Sequence, residues 1–172
     1  RLNTLRTAAG LGVLYQAAAL DAAAQGHAEY ESVNNVSSHY QTPGAPGFTG
    51  ADPNVRATAA GYAFSGSVDE VASVHTGVKG GAWFVDSLMA IPYHRMAMMK
   101  FMPSDVGVGY SAVRPSSLVL NMANTSTNPQ GAPNTVAALW PAPGATGVAL
   151  SGCCESPDPL PELAGKPAHR DV

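Results

Sequence analysis

Two histidines and one glutamate in this sequence could form a chemical site if the fold brings them together. His39 lies in a polar loop, Glu70 precedes an apolar run, and His94 follows Pro92 at the start of a helical turn. Two imidazoles and one carboxylate suffice for an open divalent metal site, in which water completes the shell, or for an acid–base cluster. Nitrogen and oxygen ligands of this kind suit zinc best, so zinc is the metal that we expect there.

Each of these residues also has a simpler interpretation. A loop histidine such as His39 is often only solvated, and His94 could hydrogen-bond to the backbone at a helix start. Glu70 could be an exposed charge at the end of a strand. His27 lies on the apolar face of an alanine-rich helix, and we interpret it as a buried core histidine with satisfied nitrogens.

No established catalytic motif occurs in the sequence. It contains no G-x-S-x-G, no H-E-x-x-H, no G-x-x-x-x-G-K and no G-x-G-x-x-G. A catalytic triad is defined in space rather than by sequence spacing, but nothing here identifies a nucleophile. We therefore expect no general hydrolase activity.

Composition limits the class of protein further. The chain has 172 residues, which is one domain of ordinary size, and 45% of them are hydrophobic, which is enough for a core. Only 12% are charged and the net charge is −3, so the chain lacks the basic face that nucleic acid requires. No apolar run approaches the roughly 20 residues of a transmembrane helix.

The hydrophobic pattern predicts the elements that would position the candidate residues. The alanine-rich helix should pack closely on a neighbour, and Leu20, Ala24, His27 and Tyr30 or Glu31 should share its buried face. Asp52 and Pro53 predict the start of a short helix after a long loop. Strands at about 106–110 and 118–122 should form a hairpin. The other predicted elements are helices at about 3–10, 15–30, 82–90 and 94–101, and a strand at 62–73.

This order of elements predicts an α+β domain with a small antiparallel sheet between helices. The composition changes after residue 128, where proline and glycine become frequent. We therefore expect one domain over 1–128. Residues 129–172 should be a tail or linker that leads to a truncated second module and adds little to stability.

Short motifs along residues 2–123 resemble, in order, the bacterial branch of the CAP superfamily. This superfamily contains the cysteine-rich secretory, antigen 5 and pathogenesis-related proteins, whose domain is also called SCP-like. The motifs are Leu2-Asn3-x-x-Arg6, His27-Ala28-x-Tyr30, His39, Phe48-Thr49-Gly50, Arg56, Ala60-Gly61-Tyr62, Glu70, Pro92-x-His94-Arg95 and Val106-Gly107-Val108-Gly109.

The resemblance implies an α–β–α sandwich and an exported protein, secreted or in the cell envelope. Because the sequence begins at Arg1, we expect any export signal to lie outside it. The resemblance also implies a central cleft with histidine and acidic residues, which holds a divalent metal in several members.

Position by position, the resemblance assigns the first cleft histidine to His39, the acidic residue to Glu70 and the second histidine to His94. Arg95 and Tyr62 would support the cleft. Eukaryotic members have a second cleft glutamate, and its place falls near Ile91, which cannot bind a metal.

Three functions remain open at this point. The chain could be an exported binding module for an unknown ligand or a cell-surface macromolecule. It could be a metal-assisted hydrolase, with His39 and His94 as ligands and Glu70 as ligand or general base. It could also be a purely structural surface domain that positions a following domain.

Overall fold

A mixed sheet with helices on both faces forms the frame of the protein. The computed structural model describes residues 1–126, 138–148, 151–152 and 170–171. The helices in this part are α1 (Leu2–Ala8), α2 (Ala18–Asn34), α3 (Pro53–Ala59), α4 (Gly81–Met89) and α5 (Pro92–Met98). The strands are β1 (Tyr15–Gln16), β2 (Phe64–His75), β3 (Asp105–Ser111), β4 (Ser116–Thr125), β5 (Ser151–Gly152) and β6 (Arg170–Asp171).

Four strands form the main sheet in the order β1-β3-β4-β2. Strands β3 and β4 are antiparallel neighbours in sequence, which confirms the predicted hairpin. Strand β2 pairs with β4 in antiparallel fashion and places Glu70 opposite Asn121. The short strands β5 and β6 form a separate antiparallel pair.

The predicted helix start at Tyr15 is wrong. Tyr15 and Gln16 instead form β1, which runs parallel to β3, and the helix begins at Ala18. The reason is that backbone bonds to the β3 region hold this segment extended. The Tyr15 N–H donates to Ser104 O at 2.8 Å and the Ala17 N–H donates to Val106 O at 3.0 Å.

Helix α2 packs directly on the backbone of β3, as its many alanines predicted. A Cβ atom added at Gly107 would overlap the backbone carbonyl group of Leu20, and one added at Gly109 would overlap that of Ala24. Only glycine fits at these two positions. Because Leu20 and Ala24 lie four residues apart, the two glycines contact successive turns of the helix.

The opposite face of the sheet carries the larger apolar cluster. Helices α1, α4 and α5 cover this face, and their side chains interlock with those of the strands. Helices on both faces make the α–β–α sandwich, which confirms the predicted fold class. The most completely buried members of the cluster are Val71, Phe84, Leu88, Met89, Met98, Leu118, Leu120 and Met122.

Helix α3 starts where the sequence predicts. The Asp52 side chain accepts a hydrogen bond from the Val55 N–H at 3.0 Å, and Pro53 occupies the first turn. The side chain of Asn54 accepts a hydrogen bond from the Val68 N–H at 2.8 Å. This bond ties the helix to β2. Arg56, on the same helix, is buried.

Part of the predicted tail lies against the domain. Trp140 is partly buried against the larger apolar cluster, and Ala142 is buried. Residues 140–142 and 145–148 also line a cavity of about 360 Å³ together with α1, α4 and α5. Most of the remaining predicted tail lies outside the described residues, so the domain boundary at residue 128 stays a prediction. No helix among the residues that the structure describes is long and apolar enough to cross a membrane.

Candidate functional site

A buried ion pair lies at the centre of the candidate site. Arg56 Nη2 donates to both carboxylate oxygens of Glu70, at 2.9 and 2.7 Å. The Arg56 side chain is 0% exposed and that of Glu70 is 1% exposed. Two opposite charges this close and this well buried stabilise each other in the ionised form, so Glu70 is an anionic acceptor.

Arg56 also holds the loop that carries His39. Its Nη2 donates to the backbone oxygen of His39 at 3.1 Å, and its Nη1 donates to Gly50 O at 3.3 Å. The same guanidinium therefore binds the carboxylate and both ends of the loop between α2 and α3. This arrangement positions the His39 backbone relative to β2.

The His39 side chain bridges the buried pair and the solvent. Its Nδ1 lies 3.1 Å from Glu70 Oε1, while the side chain as a whole is 47% exposed. Because an ionised carboxylate only accepts, Nδ1 carries the hydrogen. In the neutral ring Nε2 then keeps its lone pair. The bond to Glu70 raises the pKa of His39 above its ordinary value, against an opposing effect of burial.

Two residues of α2, His27 and Glu31, bind Ser38 in the loop that carries His39. His27 Nε2 donates to Ser38 O at 2.7 Å, and its Nδ1 accepts from Gln41 Nε2 at 3.0 Å. Both ring nitrogens are satisfied and the residue is fully buried, which confirms the interpretation as a core histidine. Burial lowers the pKa of His27, so the ring is neutral.

The second of these residues is Glu31, which is fully buried. Its carboxyl group accepts from the Ser38 N–H at 3.2 Å and from the Ser117 hydroxyl at 2.5 Å. Burial raises the pKa of Glu31 to about 7. Its partners are neutral donors, in contrast to the guanidinium that balances Glu70.

A polar pocket of about 400 Å³ opens above the pair. At its edge Lys100 Nζ donates to Asp69 Oδ1 at 2.6 Å. The half-exposed ring of His39 forms part of its wall. The lining residues are His39, Tyr40, Asp52, Pro53, Asn54, Val68, Asp69 and Glu70.

The other predicted site residues lie on other elements. His94 is on α5, one of the three helices on the opposite sheet face. Arg95 Nη1 donates to Met89 O at 3.1 Å. The Tyr62 hydroxyl donates to Asp105 Oδ2 at 2.8 Å, and burial raises its pKa. Of the predicted metal ligands, the structure therefore brings His39 and Glu70 into direct contact.

A resident metal ion does not fit the residues around Glu70. Both oxygens of this carboxylate already accept from Arg56, and a guanidinium within 2.9 Å would repel a divalent cation. Among the residues that the structure describes, no group of three or more His, Cys, Asp or Glu side chains could hold a metal ion.

The site predicted from the sequence did not include Arg56, Glu31 or Gln41. Helical spacing did place Glu31 on the buried face of α2, since it follows His27 by four residues. The helix start at Asp52 fixed the position of Arg56 along α3. Neither signal identifies which buried partner a charged side chain meets, because the partners lie on other elements.

Comparison with known proteins relates the sequence of this chain to a family. Residues 1–122 match the CAP family model, which describes the cysteine-rich secretory protein family. No curated protein matches the chain.

Two solved bacterial structures have the same fold. One is an extracellular protein containing an SCP domain from Bacillus anthracis, with a TM-score of 0.59 and 19% identity, covering 72% of this chain. This chain spans 38% of the length of that protein. The other is an outer surface protein from Borrelia burgdorferi, with a TM-score of 0.60, 16% identity and coverage of 73% of this chain and 87% of the other.

Proposed function

This chain belongs to the cysteine-rich secretory protein family, CAP, and we propose that it is an exported bacterial binding module that takes its ligand in the His39 pocket. Support for export comes from the two structural neighbours, which are described as extracellular and as an outer surface protein. The partner would be an unidentified ligand or a cell-surface macromolecule.

The observation that carries this proposal is a half-exposed histidine held in place by buried groups. Glu70 fixes the ring of His39 through Nδ1, and Arg56 fixes its backbone oxygen. Ser38, the preceding residue, is held by His27 and Glu31. A residue whose ring is held by one bond, and whose backbone and preceding residue are also held, loses little freedom when a ligand binds, which favours recognition at this position.

Nuclear magnetic resonance with a fragment library of small polar compounds tests the proposal. We expect binders to shift the amide signals of Tyr40, Asn54 and Val68, and His39→Ala to weaken that binding by about tenfold or more. His75→Ala is the matched control, because His75 is a partly buried histidine at the far end of β2. Shifts confined to other surfaces, or equal binding by both variants, would contradict the proposal.

Hydrolysis is the first alternative function. The site has a carboxylate-oriented imidazole but no nucleophile beside it among the described hydrogen bonds, so we expect no turnover. Peptide, ester and phosphoester substrates should give the same rates with the wild type and with the His39→Ala/His94→Ala double variant. A reproducible difference above ~10²-fold, the scale of general acid–base catalysis, would favour a hydrolase.

A divalent metal on His39, Glu70 and His94 is the second alternative, and the guanidinium at Glu70 opposes it. Calorimetric titration with zinc chloride tests it. Zinc binding that is lost in both His39→Ala and His94→Ala would support a metal centre. A purely structural domain would show neither fragment binding at the pocket nor zinc binding.

A further inference from the structure

We infer that Arg56 takes the position of a metal ion at Glu70, so that the His39–Glu70 pair is complete without metal and offers His39 Nε2 to the pocket as a hydrogen-bond acceptor. The role of Nε2 in binding rests on the proposed function, whereas the metal-free state of the pair does not. The inference extends to the ligand, which should donate a hydrogen bond to His39.

The first argument concerns burial of charge. Arg56 is 0% exposed and its guanidinium donates to Glu70 and to two backbone oxygens, those of His39 and Gly50. A metal ion that displaced it from Glu70 would leave a buried cation without its counter-ion. Such a state is strongly unfavourable, so the guanidinium and a metal ion exclude each other.

The second argument concerns the remaining oxygen ligands near His39. Asp69, in the pocket wall, is paired with Lys100 at 2.6 Å. Asp52 accepts the Val55 N–H at the start of α3. Nε2 of His39 would therefore be a single good ligand beside carboxylates that already have partners, which is too few for a stable zinc site.

The third argument concerns the hydrogen on the imidazole. Ionised Glu70 can only accept, so Nδ1 of His39 donates and Nε2 is left with a lone pair when the ring is neutral. The side chain of His39 is 47% exposed and lines the pocket, while Nδ1 is the ring atom that meets buried Glu70. A neutral His39 therefore presents an acceptor to the pocket, and a ligand with a hydroxyl or amino hydrogen can bind to it.

Spectra of the wild-type protein test the tautomer of His39 and the metal-free state of the His39–Glu70 pair. Long-range proton–nitrogen correlation spectra of protein with labelled histidine, recorded well above the ordinary histidine pKa, report which ring nitrogen carries the hydrogen. We expect His39 to carry it on Nδ1, and we expect no change in its signals on addition of equimolar zinc chloride. A hydrogen on Nε2, or a stoichiometric shift of His39 by zinc, would overturn the inference.

Arg56→Gln tests whether the guanidinium is the cause of metal exclusion. Removing it takes a positive charge from beside the Glu70 carboxylate, so zinc affinity measured by calorimetry should rise at least about tenfold. Arg6→Gln is the matched control, because Arg6 is also a buried arginine and its guanidinium donates to the backbone oxygens of Gly12, Met98 and Lys100. The zinc affinity of this variant should equal that of the wild type. Far-ultraviolet circular dichroism shows whether the Arg56→Gln variant is folded. A folded variant with unchanged zinc affinity would overturn the inference. If Arg56→Gln does not fold, the wild-type spectra decide. Both measurements use the free protein, so their result is independent of whether the pocket binds a fragment.

Discussion

Replacing Glu31 by glutamine should remove an electrostatic penalty that the protein carries near neutral pH. The pKa of Glu31 in the folded protein is about 7, against an ordinary value of 4.5, because the carboxyl group is buried. One pKa unit corresponds to about 1.4 kcal/mol, so the difference corresponds to about 3 kcal/mol of unfolding free energy.

The sign of the effect follows from proton binding. Below pH 4.5 both states hold the proton and the penalty is absent. Between pH 4.5 and 7 the unfolded chain loses the proton while the folded protein keeps it, so stability falls as pH rises. Above about 7 the folded protein is ionised as well and the penalty is complete. Glutamine stays neutral throughout, and its amide can accept from Ser38 N–H and donate to Ser117 Oγ.

Urea unfolding of the two proteins, followed by tryptophan fluorescence, measures the effect. The unfolding free energy of Glu31→Gln minus that of the wild type should grow by about 3 kcal/mol between pH 4.5 and 7 and then level off. Ionisable groups that do not interact with Glu31 contribute equally to both proteins and cancel in this difference.

The matched control is Glu29→Gln, two residues earlier on α2. Glu29 is exposed and accepts from Gln25 Nε2 at 2.8 Å, so its replacement should change the free energy by less than about 0.5 kcal/mol at each pH. A pH-independent difference for Glu31→Gln would refute the reasoning. A difference that shrinks with rising pH would show that the ionised carboxylate is favoured in the folded state.

Three further predictions concern stability and are read from urea or thermal unfolding. Trp140→Ala should lower the unfolding free energy by about 2 kcal/mol because the indole packs on the larger apolar cluster. Its control is Leu139→Ala, which should change the unfolding free energy by less than about 0.5 kcal/mol because Leu139 is 56% exposed. Gly109→Ala should cost more than about 2 kcal/mol or prevent folding, because the new methyl group meets helix backbone; Gly80→Ala, with no atom within 4 Å of an added Cβ, should be nearly neutral. Asp52→Ala should cost about 1 kcal/mol through loss of the α3 cap. Equal effects within either matched pair, or a neutral Asp52→Ala, would contradict the packing and capping described above.

Local signals in the sequence predicted much of the fold. Asp52 and Pro53 determine where α3 begins because a side-chain acceptor and a fixed φ are local properties. The buried face of α2 followed from helical spacing. Strand β1 was missed, because two residues carry no periodicity and their hydrogen-bond partners lie about 90 residues away along the chain on β3.

The site was predictable only in part, for a different physical reason. The resemblance brought out His39 and Glu70, and the structure places them in contact. The role of Arg56 was not visible, since spacing along a helix gives the direction of a side chain but not the charge that it meets. His94 occupies α5, on the other sheet face, where nothing in the local pattern reports its distance from His39.

The backbone of α2 contacts Gly107 and Gly109 directly, so no layer of side chains separates the helix from β3 at these positions. An interface filled with leucine side chains can absorb a lost or added methyl group by repacking, but two backbones in contact cannot approach further or slide. Helix α2 therefore has a fixed position on the sheet. Because His27 and Glu31 of this helix bind Ser38, the loop that carries His39 is held in a fixed position relative to the sheet as well. Amide hydrogens in this seam, around Leu20 to Ala24 and along β3, should exchange with solvent among the slowest in the protein.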